Sequence, residues 1–172
     1  MGSYKEVKGD LIELAKDGEF HVVVQGCNCF NTMGAGIAVR FAEEYGADRF
    51  KMEHPDFRGD MNKLGTIDYE ELHFSNWDKK YYRYPDEGDK VLHSIYVVNA
   101  YTQYHYGRDK VHLDYEALRL CFRKINSKFR MFSVILPQIG CGLAGGNWGI
   151  VKSIMKEEMK DVDVTVVIYE KG

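Results

Sequence analysis

VVVQGCNCFNTMGAGIAVRF, residues 22–41, changes character three times along its length. It opens on a β-branched run, passes two cysteines around an asparagine and a Gly-Ala-Gly, and ends on apolar residues spaced four apart. Together with Phe20, the first run predicts a strand over 20–26, buried on both faces because no polar residue alternates with the valines. Ile37, Phe41 and Tyr45 recur at i, i+4 and i+8, which predicts a helix over 34–45. A strand that passes through glycines into a helix is a building unit of α/β folds. The glycines let the backbone reach positive φ or approach a ligand closely. The helix that follows presents unpaired N–H groups and a partial positive charge.

The same unit returns at LPQIGCGLAGGNW, residues 136–148. Pro137 ends a strand predicted over 131–136. Gly140, Gly142, Gly145 and Gly146 follow, then a helix over 147–159 with Trp148, Val151 and Met155 on one side. Further strands are predicted over 4–8, 66–74, 91–99 and 164–169, a helix over 113–129, and a loop over 101–110. Residues 75–89, SNWDKKYYRYPDEGD, read as a surface excursion. Strands separated by helices of this length imply an α/β fold with helices on both faces of the sheet. Ligands in such folds sit at the carboxyl ends of the strands. At 172 residues, one domain over 1–172 is expected.

The formal net charge is -3, with both signs dispersed. That argues against a protein that lives on nucleic acid or anionic membranes. It leaves room for an anionic small molecule, because backbone N–H groups hold phosphates without a basic patch. No apolar run approaches a membrane span. MGSYKEVKGD has no signal-peptide core, and four cysteines without one suggest a reduced, cytoplasmic setting.

Two glycine loops side by side could clamp two phosphates, which points to a diphosphate. The alternative is that the glycines only make tight turns. No G-x-x-x-x-G-K-[ST] is present, and GAGIAV lacks the third glycine of a dinucleotide fingerprint. Cys27 and Cys29 are too closely spaced for a zinc knuckle, so no metal is assigned and the cysteines are read as small packing residues.

VKGDL (7–11), the 22–41 stretch and the 136–148 stretch, in this order and ahead of VTVVIY (164–169), resemble the macrodomain family across nearly the whole chain. The likeness is greatest to the branch that holds ADP-ribose 1″-phosphate phosphatases and terminal ADP-ribose-glutamate hydrolases. The resemblance implies a three-layer α/β/α fold with a mostly parallel, mixed central sheet, and ADP-ribose or an ADP-ribosylated substrate as partner. It implies no cofactor, and a monomer is compatible with everything in the sequence. Asp10 matches the aspartate that accepts from the adenine amino group, with Leu11 beside it. Asn28 matches the asparagine that faces the distal ribose. Gly34, Ala35, Gly36, Ile37 and Ala38 match the first phosphate loop, and Gln138, Ile139, Gly140, Cys141, Gly142 and Leu143 the second.

The chain also departs from that branch. Where its hydrolases carry a lysine, this sequence has Ala100 and Tyr101. Where they carry an aspartate after the second glycine loop, it has Ala144. The amine nucleophile and its carboxylate partner are thus both missing, and no lysine-adduct mechanism is expected. Hydrolysis at C1″ needs less: positioned water and oriented donors. Removal of a 1″-phosphate is the first expectation, de-ADP-ribosylation the second, and a non-catalytic reader of ADP-ribose the alternative. Asn28, Gln25 and His105 are the catalytic candidates. His105 reads equally as an exposed loop histidine. Tyr101, Tyr104 and Tyr106 either border the ribose or cover the sheet edge. Asp114 and Tyr115 are candidates to cap the following helix.

Overall fold

Among the described residues, seven strands and four α-helices follow one another in the order β1 (Tyr4–Gly9), α1 (Leu11–Ala15), β2 (Val22–Asn28), α2 (Ile37–Tyr45), β3 (Ile67–Ser75), β4 (Tyr81–Tyr82), β5 (Val91–Gln103), α3 (Tyr115–Lys128), β6 (Ser133–Pro137), α4 (Trp148–Glu158) and β7 (Asp163–Tyr169). This is a computed structural model, and it describes residues 2–50, 58–107, 109–142 and 144–170. The strands form one sheet in the order β1-β7-β6-β2-β5-β3-β4. The pairs from β1 through β5 are parallel, while β3 runs antiparallel to β5 and to β4. The sheet is therefore mixed and mostly parallel, as the resemblance implied.

Alternate residues of the central strands face opposite layers. Val22, Val24, Val134, Leu136, Val98 and Ala100 pack with Leu118, Phe122 and Ile125 of α3 and Val151 and Met155 of α4. Val23, Ile135, Ile95 and Val97 pack on the other face with Leu11 and Ile12 of α1 and Phe41 and Tyr45 of α2. Both faces of β2 are dry, which is why its sequence shows no alternation. Each such fully buried side chain contributes about 1.5–3 kcal/mol. Trp148 packs against the first of these cores, the role its helical spacing suggests.

Local chemistry sets the ends of the helices. Asp114 caps α3 by accepting from Ala117 N at 3.0 Å. Asn147 caps α4 by accepting from Ile150 N at 3.2 Å. α2 begins at Ile37 rather than at 34, because Gly36 sits at φ 63, ψ -147, which no helix accommodates. α1, absent from the sequence reading, starts at the Gly9-Asp10 turn, where Asp10 caps it through Glu13 N at 3.1 Å.

β5 is longer than expected. It continues through Ala100, Tyr101 and Thr102, all fully buried, to Gln103, which pairs with Asn28. Strands on both sides supply its backbone partners, so residues that read as the start of a loop become part of the sheet. The 75–89 segment is only in part a surface excursion: Trp77 is 88% and Tyr84 84% exposed, but Ser75 is buried at the end of β3, and Tyr81–Tyr82 join the sheet as β4 with Tyr81 packed against the second core.

Candidate functional site

At the carboxyl ends of β2, β5 and β6 the structure opens a pocket of about 550 Å³. Gly26, Cys27 and Asn28 reach it from β2, and Pro137 from β6. The two glycine loops converge on it: Gly34, Ala35, Gly36, Ile37 and Ala38 from one, Gln138, Ile139, Gly140 and Gly142 from the other. Gln103 at the end of β5, and Tyr106 and Gly107 just after it, complete the pocket. The glycines do different work. A Cβ at Gly34 or Gly142 would meet nothing within 4 Å. Gly140 holds φ 75, and a Cβ there would lie 2.7 Å from Leu113, so only glycine packs at that turn.

Asn28 lines the pocket but is 7% exposed. Its Oδ1 accepts from Phe30 N at 3.0 Å and Thr32 N at 3.2 Å, and its Nδ2 donates to Thr32 O at 3.0 Å. Both ends of the amide thus shape the loop that leads to Gly34. The side chain organises the site rather than aiming a free group at a reacting atom.

Three other candidates stand outside the pocket lining. Gln25 is fully buried and outside the lining; its Nε2 donates to Asn99 Oδ1 at 2.9 Å and contacts Met33 Sδ at 3.5 Å. Strand alternation turns it toward the α1/α2 layer. Tyr101 is also fully buried, and its hydroxyl donates to Asp68 Oδ2 at 2.6 Å. Burial, then the neighbouring Cys27 and Asp68, push its phenol pKa up. His105 is exposed and stacks on Tyr106 with centroids 4.6 Å apart, while its Nδ1 accepts from Tyr106 N at 2.9 Å. It is not among the residues that line the pocket.

Asp10 and Leu11 also lie outside the lining. Leu11 is 2% exposed in the core under α1. Asp10 accepts from Glu13 N and from Arg40 Nη1 at 3.0 Å. Cys141 is half-buried, with Sγ 3.4 Å from Ile139 O, and it too is absent from the lining. Leu143 lies outside the described residues.

Several contributors were not legible beforehand. Gln103 and Gly107 line the pocket, although no sequence motif marks them, and Thr32 and Met33 line it from within the 22–41 stretch. Ala144, where the branch's hydrolases carry an aspartate, lines it with a methyl group. Lys63 donates to Cys29 O at 3.3 Å and to Asn31 Oδ1, and stands 4.5 Å over the Tyr101 ring. Burial lowers its pKa against the opposing pull of Asp68. Asn31 is held at φ 54, a conformation asparagine tolerates better than most residues.

The cysteines pack. Cys27 and Cys29 cluster with Tyr101, and burial raises both thiols, Cys29 to about 11. Among the described residues no group of three or more His, Cys, Asp or Glu side chains could hold a metal ion. No helix among them is long and apolar enough to cross a membrane.

No family model matches the chain. It is 30% identical, over 174 residues and 96% of both chains, to a 17.5 kDa protein of Enterobacteria phage T4 from the tk-vs intergenic region. It is 25% identical over 167 residues to the bovine (Bos taurus) ADP-ribose glycohydrolase OARD1, covering 95% of this chain and 88% of that protein. The fold superposes on the macrodomain of Mycobacterium tuberculosis DarG with a TM-score of 0.62 at 22% identity, covering 100% of both chains. On Thermosipho africanus DarTG, solved with ADP-ribose, the TM-score is 0.66 at 18% identity, covering 98% of this chain and 42% of that one. Sheet order and these likenesses agree: the chain has the macrodomain fold.

Proposed function

We propose that the protein binds ADP-ribose, with the diphosphate held between the two glycine loops. The observation that carries this is their convergence on one pocket, with Gly34 and Gly142 leaving open space where side chains would stand. Backbone N–H groups and the start of α2 would meet the phosphate charge, so no cluster of lysines is needed. The distal ribose would lie toward Asn28, Gln103 and Tyr106, and the adenine toward Asp10.

Among the described lining residues there is no lysine, histidine or carboxylate. A pocket of amides, small side chains and backbone donors suits recognition, and this favours a reader of ADP-ribose. Hydrolysis at C1″ is the second reading, supported by the bovine relative's name. With no side-chain base at the pocket, removal of a 1″-phosphate ranks ahead of de-ADP-ribosylation, since it asks only for oriented water and donors.

Calorimetric titration with ADP-ribose tests the binding, and phosphate release from ADP-ribose 1″-phosphate in the same sample tests the hydrolysis. Binding without release of phosphate fits the reader, and binding with release fits the phosphatase. Absence of binding overturns both.

A further inference from the structure

The chain between β5 and α3 leaves the sheet at Gln103 and rejoins it at Leu113, which bridges Gln103 in the antiparallel sense. On the outward arm, Tyr106 and Gly107 line the pocket. The return arm, 111–113, rests on the second glycine loop: a Cβ at Gly140 would fall 2.7 Å from Leu113, and one at Gly145 3.4 Å from Val111. His112 is tied to both sides. Its N–H donates to Ala144 O at 3.0 Å, and Ala144 lines the pocket. Its imidazole, only 5% exposed, stands with Nε2 2.8 Å from Asp109 Oδ1. An ionised carboxylate only accepts, so Nε2 carries the proton and donates. That hydrogen bond, the largest of several causes, holds the Asp109 carboxyl below its ordinary value. The pair sits against Gly107. With Gly107 at φ 127, a Cβ there would lie 3.0 Å from Asp109 Oδ1 and 3.5 Å from His112 Nε2. Glycine at this position leaves the room that the pair occupies.

We propose that His112 is a positioning residue of this pocket: through its hydrogen bond to Asp109 it braces the wall made by Tyr106 and Gly107 against the second glycine loop, so that the wall stands in place before the ligand arrives. This rests on the reading that ADP-ribose binds with its distal ribose toward Tyr106. Without the brace, the wall is ordered only on binding, and that entropy cost falls on the affinity. Only a ligand that reaches the wall bears it. ADP, which ends at the diphosphate, does not. Asp109 is 74% exposed, and a pair with so exposed a partner adds little to folding stability. The binding and the stability of an Asp109 variant therefore separate.

The test is calorimetric titration of the intact protein with ADP-ribose and with ADP, in wild type, His112→Ala, His112→Gln and Asp109→Ala. His112→Ala and Asp109→Ala should each weaken ADP-ribose about fivefold, the scale of one hydrogen bond, and leave ADP within about twofold. His112→Gln keeps an N–H donor where Nε2 stood, and should hold ADP-ribose within about twofold of wild type. Asp109→Ala should keep its melting temperature within about 2 °C. Unchanged ADP-ribose affinity in Asp109→Ala overturns the inference while ADP-ribose binding stands, and it decides the matter if His112→Ala fails to fold. An equal loss for ADP and ADP-ribose also overturns it, because the pair would then serve the whole fold rather than the wall. So does a His112→Gln variant as weak as His112→Ala. If wild type does not bind ADP-ribose, that reading and this one fall together.

Discussion

Asn28 and Thr32 are tied twice. The Asn28 amide oxygen accepts from Thr32 N at 3.2 Å, and the amide nitrogen donates to Thr32 O at 3.0 Å. This pair closes the loop between β2 and the Gly34–Gly36 turn. Asn28→Ala removes both bonds and also the one from Phe30 N. A loss of about 1–3 kcal/mol in stability is expected, along with weaker ADP-ribose binding. Chemical denaturation and calorimetry check it. A purely catalytic asparagine would lower turnover and leave the denaturation midpoint alone.

Gly34 and Gly140 should respond in opposite ways to valine. Gly34 lines the pocket, and a Cβ added there meets nothing within 4 Å. Gly34→Val should fold with an unchanged melting temperature and lose ADP-ribose binding. At Gly140 the backbone is at φ 75, and Leu113 lies 2.7 Å from the new Cβ. Gly140→Val should cost about 1–3 kcal/mol from strain alone. Circular dichroism melts beside titrations separate the two effects.

Lys63 holds the same loop from below, through Cys29 O and Asn31 Oδ1. Lys63→Met keeps the stem over the Tyr101 ring and removes the ammonium. A stability loss of about 1 kcal/mol is expected, with faster amide exchange over 28–32. Exchange rates equal to wild type there would show that Lys63 does not restrain the loop. His105→Gln, by contrast, should leave binding within about twofold, as for surface positions generally.

Asp10 makes part of the fold's stability pH-dependent. Burial raises its carboxyl pKa, but the Glu13 N–H and the Arg40 guanidinium outweigh that and leave it below its ordinary 3.8. A carboxyl whose folded pKa is depressed binds fewer protons folded than unfolded. Its stabilisation is therefore present above the unfolded value and lost as the pH falls through the folded one. The stability gap between wild type and Asp10→Asn should be constant well above the ordinary carboxylate value of 3.8 and close as the pH falls through the lower folded value. Urea midpoints measured across that range check it. A gap that widens on acidification would mean that Asp10 is not held ionised by Arg40.

The strand at 20–26, the helices entered through glycines, and the two loops at one pocket were all legible in residue order, because apolar periodicity and glycine placement are local properties of the chain. Asp114 as a cap and Trp148 as a core residue were legible for the same reason. The catalytic candidates were less so. Gln25 and Asn28 stand three apart on one strand, and residue order could not tell which belongs to the pocket. The sheet decided it: Gln25 turns to the α1/α2 layer and to Asn99, while Asn28 ends the strand at the pocket. Tyr101 read as a loop aromatic, and β5 carried it into the core against Asp68.

Residue order by itself determined the layers, the order of the elements and the glycine loops, since each follows from patterns a few residues long. Only the tertiary structure decided which polar groups face the pocket. That choice depends on pairing between strands far apart in sequence, where a shift of one residue turns every side chain to the opposite face. It also depends on long side chains such as Arg40 and Lys63, which reach across from other elements to hold Asp10 and the 28–32 loop in place.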